Sequence, residues 1–156
     1  MALFLPFARA VGSEPAPITL GNGKLSLPAG FVAEEYPGRV LGVDYKLKLS
    51  NGVTSIFVLE FGFSGPVEDA AGSFWKNFMA PRLQLRELSY ISGTPRKVKL
   101  KMAGAEMIYN LYLVSLNNTN AFLVFIAPIG NLSDNTDELE RMSHTVDGII
   151  SSYTLD

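Results

Sequence analysis

Two apolar runs on either side of a polar tetrapeptide limit what this chain can fold into more than any other feature. Residues 106–116 and 121–127 flank Asn117, Asn118, Thr119 and Asn120, the composition of a hairpin turn. In an extended first arm, Met107, Tyr109, Leu111 and Leu113 fall on one side, and Ile108, Tyr112, Val114 and Leu116 on the other. A strand that is apolar on both sides needs cover on both sides, whereas an antiparallel sheet with one wet face alternates cleanly between apolar and polar. The expectation is therefore an α+β fold, with an antiparallel sheet of about six strands sandwiched between helices, one of them a C-terminal amphipathic helix.

At 156 residues the chain fits one domain, of a size that buries roughly 68–70% of the surface its unfolded form exposes. With 13 basic against 15 acidic residues and an isoelectric point near 5.4, it lacks the basic excess by which a general nucleic-acid binder neutralises phosphates. It has no cysteine. Disulfides, thiolate catalysis, cysteine-ligated zinc and a lipidated N-terminal cysteine are thereby removed, while the compartment stays open. No run reaches the roughly 18 apolar residues of a helical membrane span. Residues 2–7 form a short apolar run followed by Ala8-Arg9-Ala10, a small-x-small pattern that suits signal peptidase. The run is shorter than a full hydrophobic region and no Lys or Arg precedes it. Residues 1–17 therefore read as a signal-peptide remnant and linker, and residues 18–156 as a single domain. The expected localisation is periplasmic; the alternative is a cytoplasmic protein with a hydrophobic arm packed on the domain.

Upstream of the hairpin, Gly21-Asn22-Gly23 marks the turn of a first small hairpin, closed by Pro28-Ala29-Gly30. Residues 40–63 read as two strands about Ser50-Asn51-Gly52, where Asn-Gly is the preferred pair of a two-residue type I′ turn because both residues tolerate positive φ. Val43, Tyr45, Leu47 and Leu49 share one face of the first strand; the second, residues 54–63, is apolar nearly throughout and so more central. A helix starts near Pro66, with Glu68 and Asp69 complementing its dipole, Ala71, Phe74 and Phe78 as its buried stripe, and Pro81 ending it. Residues 83–91 fit neither period, since Leu83 and Leu85 alternate as in a strand whereas Leu85 and Leu88 do not. Val98, Leu100 and Met102 alternate with Lys97, Lys99 and Lys101, a lysine row that suits an edge strand. The closing helix, residues 136–153, buries Leu139, Met142, Val146, Ile149 or Ile150, and Tyr153, with Asn135 as cap and Glu138 as capping-box acid.

This order of elements, with Ser26-Leu27-Pro28-Ala29-Gly30-Phe31 after the first strand, a strand running into Gly104, a tyrosine-rich hairpin and a helix ending in Val146-Asp147-Gly148-Ile149-Ile150-Ser151-Ser152-Tyr153, resembles the PsbP, Mog and DcrB superfamily. The resemblance implies an antiparallel sheet with helices on both faces. It also implies non-enzymatic work as an adaptor, subunit, chaperone or periplasmic binding protein. The matching positions serve packing and turns, so it assigns no functional residue.

Few residues could carry chemistry. His144, the only histidine, has Glu140 one turn before it and Asp147 about one turn after, so one nitrogen and two carboxylates could meet on a helix face. The simpler reading is a solvated histidine in a polar helix. Asp134, Asp137 and Glu138, with the carbonyl oxygens of Asn131 and Asn135, could contribute to a calcium site, though acids at a helix N-terminus need no metal to be favourable there. A metal set of Asp134, Asp137 and His144 is thus a candidate, with calcium or another divalent ion as the only cofactor in view. Gly62-Phe63-Ser64-Gly65 lacks the spacing of a nucleophile elbow. Arg82, Arg86, Arg96, Lys97, Lys99 and Lys101 gather six of the 13 basic residues into one stretch. Such a stretch could engage an acidic partner, and Trp75 could anchor one.

Without a nucleophile and positioned base, the expected function is non-enzymatic binding of a protein partner, with Trp75, Arg82 and Arg86 in the interface. An immunity protein that occludes a secreted bacterial effector, or a secretion or assembly chaperone, fits that description; the alternative is a periplasmic small-ligand or divalent-metal-binding domain. The Ala8-Arg9-Ala10 pattern predicts a mature chain that begins at Val11. N-terminal sequencing from the native host tests this, and recovery of intact Met1 from the cytosol would count against export.

Overall fold

The computed structural model describes residues 16–36, 38–116 and 120–155. The cleavage motif, and all of the expected hairpin turn except Asn120, lie outside them. In chain order the elements begin with the hairpin β1 (Ala16–Leu20) and β2 (Gly23–Leu27), then β3 (Val32–Glu35) and a short ribbon of β4 (Arg39–Val40) and β5 (Val43–Asp44). Next come β6 (Leu47–Ser50), β7 (Ser55–Gly62) and helix α1 (Val67–Phe74), which widens into a π turn (Trp75–Met79). The second half holds β8 (Gln84–Ile91), β9 (Lys97–Ala103), β10 (Met107–Ser115), β11 (Ala121–Asn131), helix α2 (Thr136–Ser151) and β12 (Thr154–Leu155).

The two-faced hairpin β10–β11 lies at the centre of a fully antiparallel sheet, in the order β3-β6-β7-β11-β10-β9-β8. The α+β expectation holds, with seven strands in this sheet rather than six. Leu111, Leu113, Phe122, Val124 and Ile126 bury one face of the hairpin against Val67, Ala70, Ala71 and Phe74 of α1, Met79 of the π turn and Val98, Leu100 and Met102 of β9. Tyr112, Val114, Leu116, Leu123 and Phe125 bury the other against Val146, Ile149 and Ile150 of α2. That second cover is extended by a small sheet, β1-β2-β12, which adds Leu20, Leu25 and Leu27 to the same core. Each fully buried leucine or phenylalanine contributes about 1.5–3 kcal/mol, so neither face could stay wet without losing most of the core.

The first hairpin and the segment after α2 are tied together on this side. Tyr153, fully buried, donates its hydroxyl proton to the Leu20 carbonyl at 2.7 Å. A Cβ at Gly23 would come within 2.6 Å of the same hydroxyl, so glycine is what lets β12 lie along β2. The Asn135 side chain caps α2 as expected, accepting from the Asp137 N–H at 2.8 Å.

Several local expectations are corrected. Phe78 is not in the buried stripe. The Ala80 N–H reaches the Trp75 carbonyl, an i to i+5 bond, and this wider turn carries Met79 inward and leaves Phe78 at the surface. The Asn51-Gly52 turn is a four-residue loop rather than a two-residue one, because the Asn51 side chain accepts from both Val53 N–H and Thr54 N–H and holds the loop open. Tyr45 does not share a face with Leu47 and Leu49. It packs on the α1 side and they on the α2 side, with Lys46 N–H and Leu47 both set against Val58 of β7, an irregularity that reverses the alternation. The closing helix stops at Ser151, two residues short of Tyr153. The segment expected as linker enters β1 at Ala16 and Pro17.

Val114 is fully buried at the sheet centre. Val114→Asp is predicted to abolish cooperative folding, because an unpaired carboxylate there costs several kcal/mol. A soluble variant with a near-normal melting temperature would show that the α2 side is wet.

Candidate functional site

Three regions are candidates for chemistry or binding. The first lies beneath α2. Lys99 Nζ donates to Asp147 Oδ2 at 2.9 Å and to Ser143 Oγ at 3.1 Å, and Asn110 Nδ2 donates to Ser143 Oγ at 2.8 Å and to the Tyr112 hydroxyl at 3.0 Å. Tyr112 in turn donates to Asp147 Oδ1 at 2.5 Å. Burial, and then the Asp147 charge and hydrogen bond, push the Tyr112 hydroxyl far above its ordinary pKa, so it stays a donor. A serine near a lysine and a tyrosine invites a nucleophilic reading, but here the amine donates to a carboxylate as well as to the serine. It is not positioned as a base. The cluster instead fixes α2 on β9 and β10, through a partly buried ion pair with hydrogen-bonded polar neighbours on both sides.

This arrangement also corrects the expectation of a lysine-rich edge strand. β9 is the second strand in; β8 lies outside it, and its register opposes Ile91 to Lys97, Ser89 to Lys99 and Glu87 to Lys101. Lys97 is 1% exposed, and its Nζ has no hydrogen-bond partner among the described residues.

The second region is the start of α2. Asp134, Asp137 and His144 are not brought together. Asp137 and His144 are seven residues apart on the helix, about 10 Å along its axis, well beyond a shared ion. Asp134 Oδ2 accepts from the Asn131 N–H at 2.9 Å, and the Asn135 side chain is occupied as the helix cap. Among the described residues no three His, Asp or Glu side chains are grouped to hold a metal ion. Asp134 and Glu138 do line an open groove of about 430 Å³ between α2 and the Asn51–Thr54 loop, floored by Ile129, Leu139 and Met142, with Arg141 at its side.

The third region is the β8 edge. The register sets Leu85 opposite Met102, Leu88 opposite Leu100 and Tyr90 opposite Val98, so all three point to the α1 side of the sheet. Helix α1 packs over β9 and β10 and stops short of covering them. Leu85, Leu88 and Tyr90 are left 37%, 47% and 50% exposed, a row of apolar groups on an edge strand. Glu68 marks the wall of this step: Arg96 Nε donates to Glu68 Oε2 at 2.6 Å while the Arg96 guanidinium stacks 4.8 Å from the centre of the Tyr90 ring. A backbone N–H in the first turn of α1, and next the Arg96 guanidinium, hold the Glu68 carboxyl below its usual range. Trp75, seven residues after Glu68, lies on the same side of the helix and is half-buried against the α1-side core.

Of the residues expected in a partner interface, Trp75 lies on the side of α1 that carries Glu68, and Arg86 lies within the step, exposed as the extra residue of a bulge between Leu85 and Glu87. Arg82 is exposed too, but its guanidinium lies against the β4–β5 turn, where a Cβ at Gly42 would come 2.6 Å from a guanidinium nitrogen. Leu85, Leu88 and Tyr90 were not singled out from sequence. Their signal was the broken alternation from Leu85 to Leu88, which is the bulge itself. Among the described residues no helix is long and apolar enough to cross a membrane. Comparison with known protein families and with curated proteins finds no match to this sequence.

Burial lowers the pKa of the Lys97 amine. A base depressed in the folded state binds fewer protons folded than unfolded, so its contribution to stability rises with pH from the folded value up to about 10.4, where the unfolded amine titrates. Lys97→Met is predicted to raise the melting temperature at pH 7 by about 2–4 °C or more, with an advantage that shrinks as pH rises toward 10. Thermal melts of both proteins across that range check it; a variant less stable than wild type at pH 7 would mean that the ammonium is paired.

Proposed function

We propose that this chain is a non-enzymatic, exported protein-binding domain, PsbP- or DcrB-like, that occludes or escorts a partner protein. An immunity protein against a secreted antibacterial effector and a secretion or assembly chaperone both fit this description. The observation that carries the reading is the row Leu85, Leu88 and Tyr90, three exposed apolar groups side by side on an open strand edge. Apolar side chains scattered singly on a surface need no explanation, whereas a contiguous row beside unpaired backbone donors and acceptors is the composition of a binding surface. The polar cluster under α2 supports the non-enzymatic part, because Lys99, Ser143, Tyr112 and Asp147 are engaged with one another and with the Asn110 amide and hold the helix to the sheet.

A small-ligand reading is favoured by one observation, the groove at the start of α2, whose apolar floor and acidic rim from Asp134 and Glu138 suit an amphipathic cation. Binding there would be lost on Glu138→Ala and untouched by changes on β8.

A photo-crosslinking residue placed at Leu88, and separately at the 80% exposed Val53, is predicted to trap a protein in the native host from position 88 only. Leu88→Lys should weaken capture of that protein by about tenfold or more. Equal trapping from Val53, or capture indifferent to Leu88→Lys, would remove β8 as the interface.

A further inference from the structure

We infer that the β8 step accepts the β8 strand of a second copy of this chain, the two strands running antiparallel about a two-fold axis so that both sheets join into one. The inference rests on reading β8 as the interaction surface. It starts from the bulge. Residues directly opposite in an antiparallel pair must share a face of the sheet, and in a regular strand two residues three apart lie on opposite faces. The extra residue Arg86 changes this: Leu85 and Leu88 both lie on the α1 side, opposite Met102 and Leu100. Gln84 and Ser89, opposite Ala103 and Lys99, both lie on the α2 side, and Leu83 shares the α1-side core with the residues that Tyr90 faces. The pattern of faces along β8 is therefore symmetric about the midpoint between Arg86 and Glu87.

A two-fold axis through that midpoint sets Leu85 against Leu88 of the second copy, Gln84 against Ser89, and Arg86 against Glu87 twice over. The Leu85–Leu88 and Gln84–Ser89 pairs each share a face, and the two charged pairs are of opposite sign. Neither Arg86 nor Glu87 is ion-paired among the described residues, so both are available. Sliding the register one residue either way places Arg86 against Arg86 or Glu87 against Glu87, and like charges directly opposite are destabilising. A regular strand from another protein would meet two residues at the bulge where it offers one. The bulge that normally guards an edge against stray pairing thus admits the strand that carries the same bulge. The opposite edge has no such match: β3 is short and exposes Glu34 and Glu35.

Sedimentation equilibrium on the full chain across a concentration series tests this. Wild type should dimerise, and Arg86→Glu and Glu87→Arg should each weaken the dimer at least about tenfold by setting like charges together. An equimolar mixture of those two variants should dimerise again, as each then supplies the charge the other lacks. Leu88→Lys should abolish association, with circular dichroism confirming that each variant is folded. A monomeric wild type, or a dimer indifferent to both charge reversals, overturns the inference. If the wild type is monomeric while a crosslinker at Leu88 still traps another protein, self-pairing fails and β8 stands as the interface; if neither occurs, both fail.

Discussion

The rest of the structure depends on the two-sided burial of the β10–β11 hairpin. A strand pair apolar on both faces at the middle of a sheet cannot be satisfied by one layer of cover, and each layer has to come from elsewhere in the chain. The α1 side is covered by one short helix whose last turn widens to bring Met79 inward. The α2 side is covered by a longer helix and by the sheet formed from both ends of the domain. The two solutions differ in reach. Eight helical residues and a π turn span β9 and β10 but not the edge, and the uncovered strip is β8.

Polar chemistry in this fold is arranged around the same constraint. Lys99, Asn110 and Tyr112 point toward α2 from β9 and β10, and Ser143 and Asp147 meet them from the helix. Apolar packing alone would let a helix slide along or roll on a sheet, whereas a charge pair with three neutral partners fits in one position. Lys97, one alternation along, has no such counterpart among the described residues and is a cost the core carries.

The central hairpin and α2 were legible in sequence because the apolar runs of the one and the helical period of the other extend over many residues. What was not legible broke a period. The bulge at Arg86 hid β8 as neither helix nor strand, and with β8 hidden, the lysines of β9 read as an edge. The π turn moved Phe78 outward, and an irregularity at Lys46 put Tyr45 on the opposite face from Leu47. Charge drew attention to Arg86, which lies on the candidate surface, and size to Trp75, on the side of α1 that carries Glu68. Leu85, Leu88 and Tyr90 could not be singled out, because a leucine on a strand looks the same in sequence whether a helix covers it or stops one strand short.

The bond between Tyr153 and Leu20 has a consequence for how the domain is made. In chain order, what shields the α2 side of the sheet, apart from the first hairpin, comes after β11, and that hairpin is completed as a sheet only by β12. During translation the α1 side can close first, while Val114, Phe125 and their neighbours stay bare until α2 and β12 leave the ribosome. A nascent chain with that face exposed is a substrate for holding chaperones, and loss of β12 removes the closing step rather than a peripheral strand.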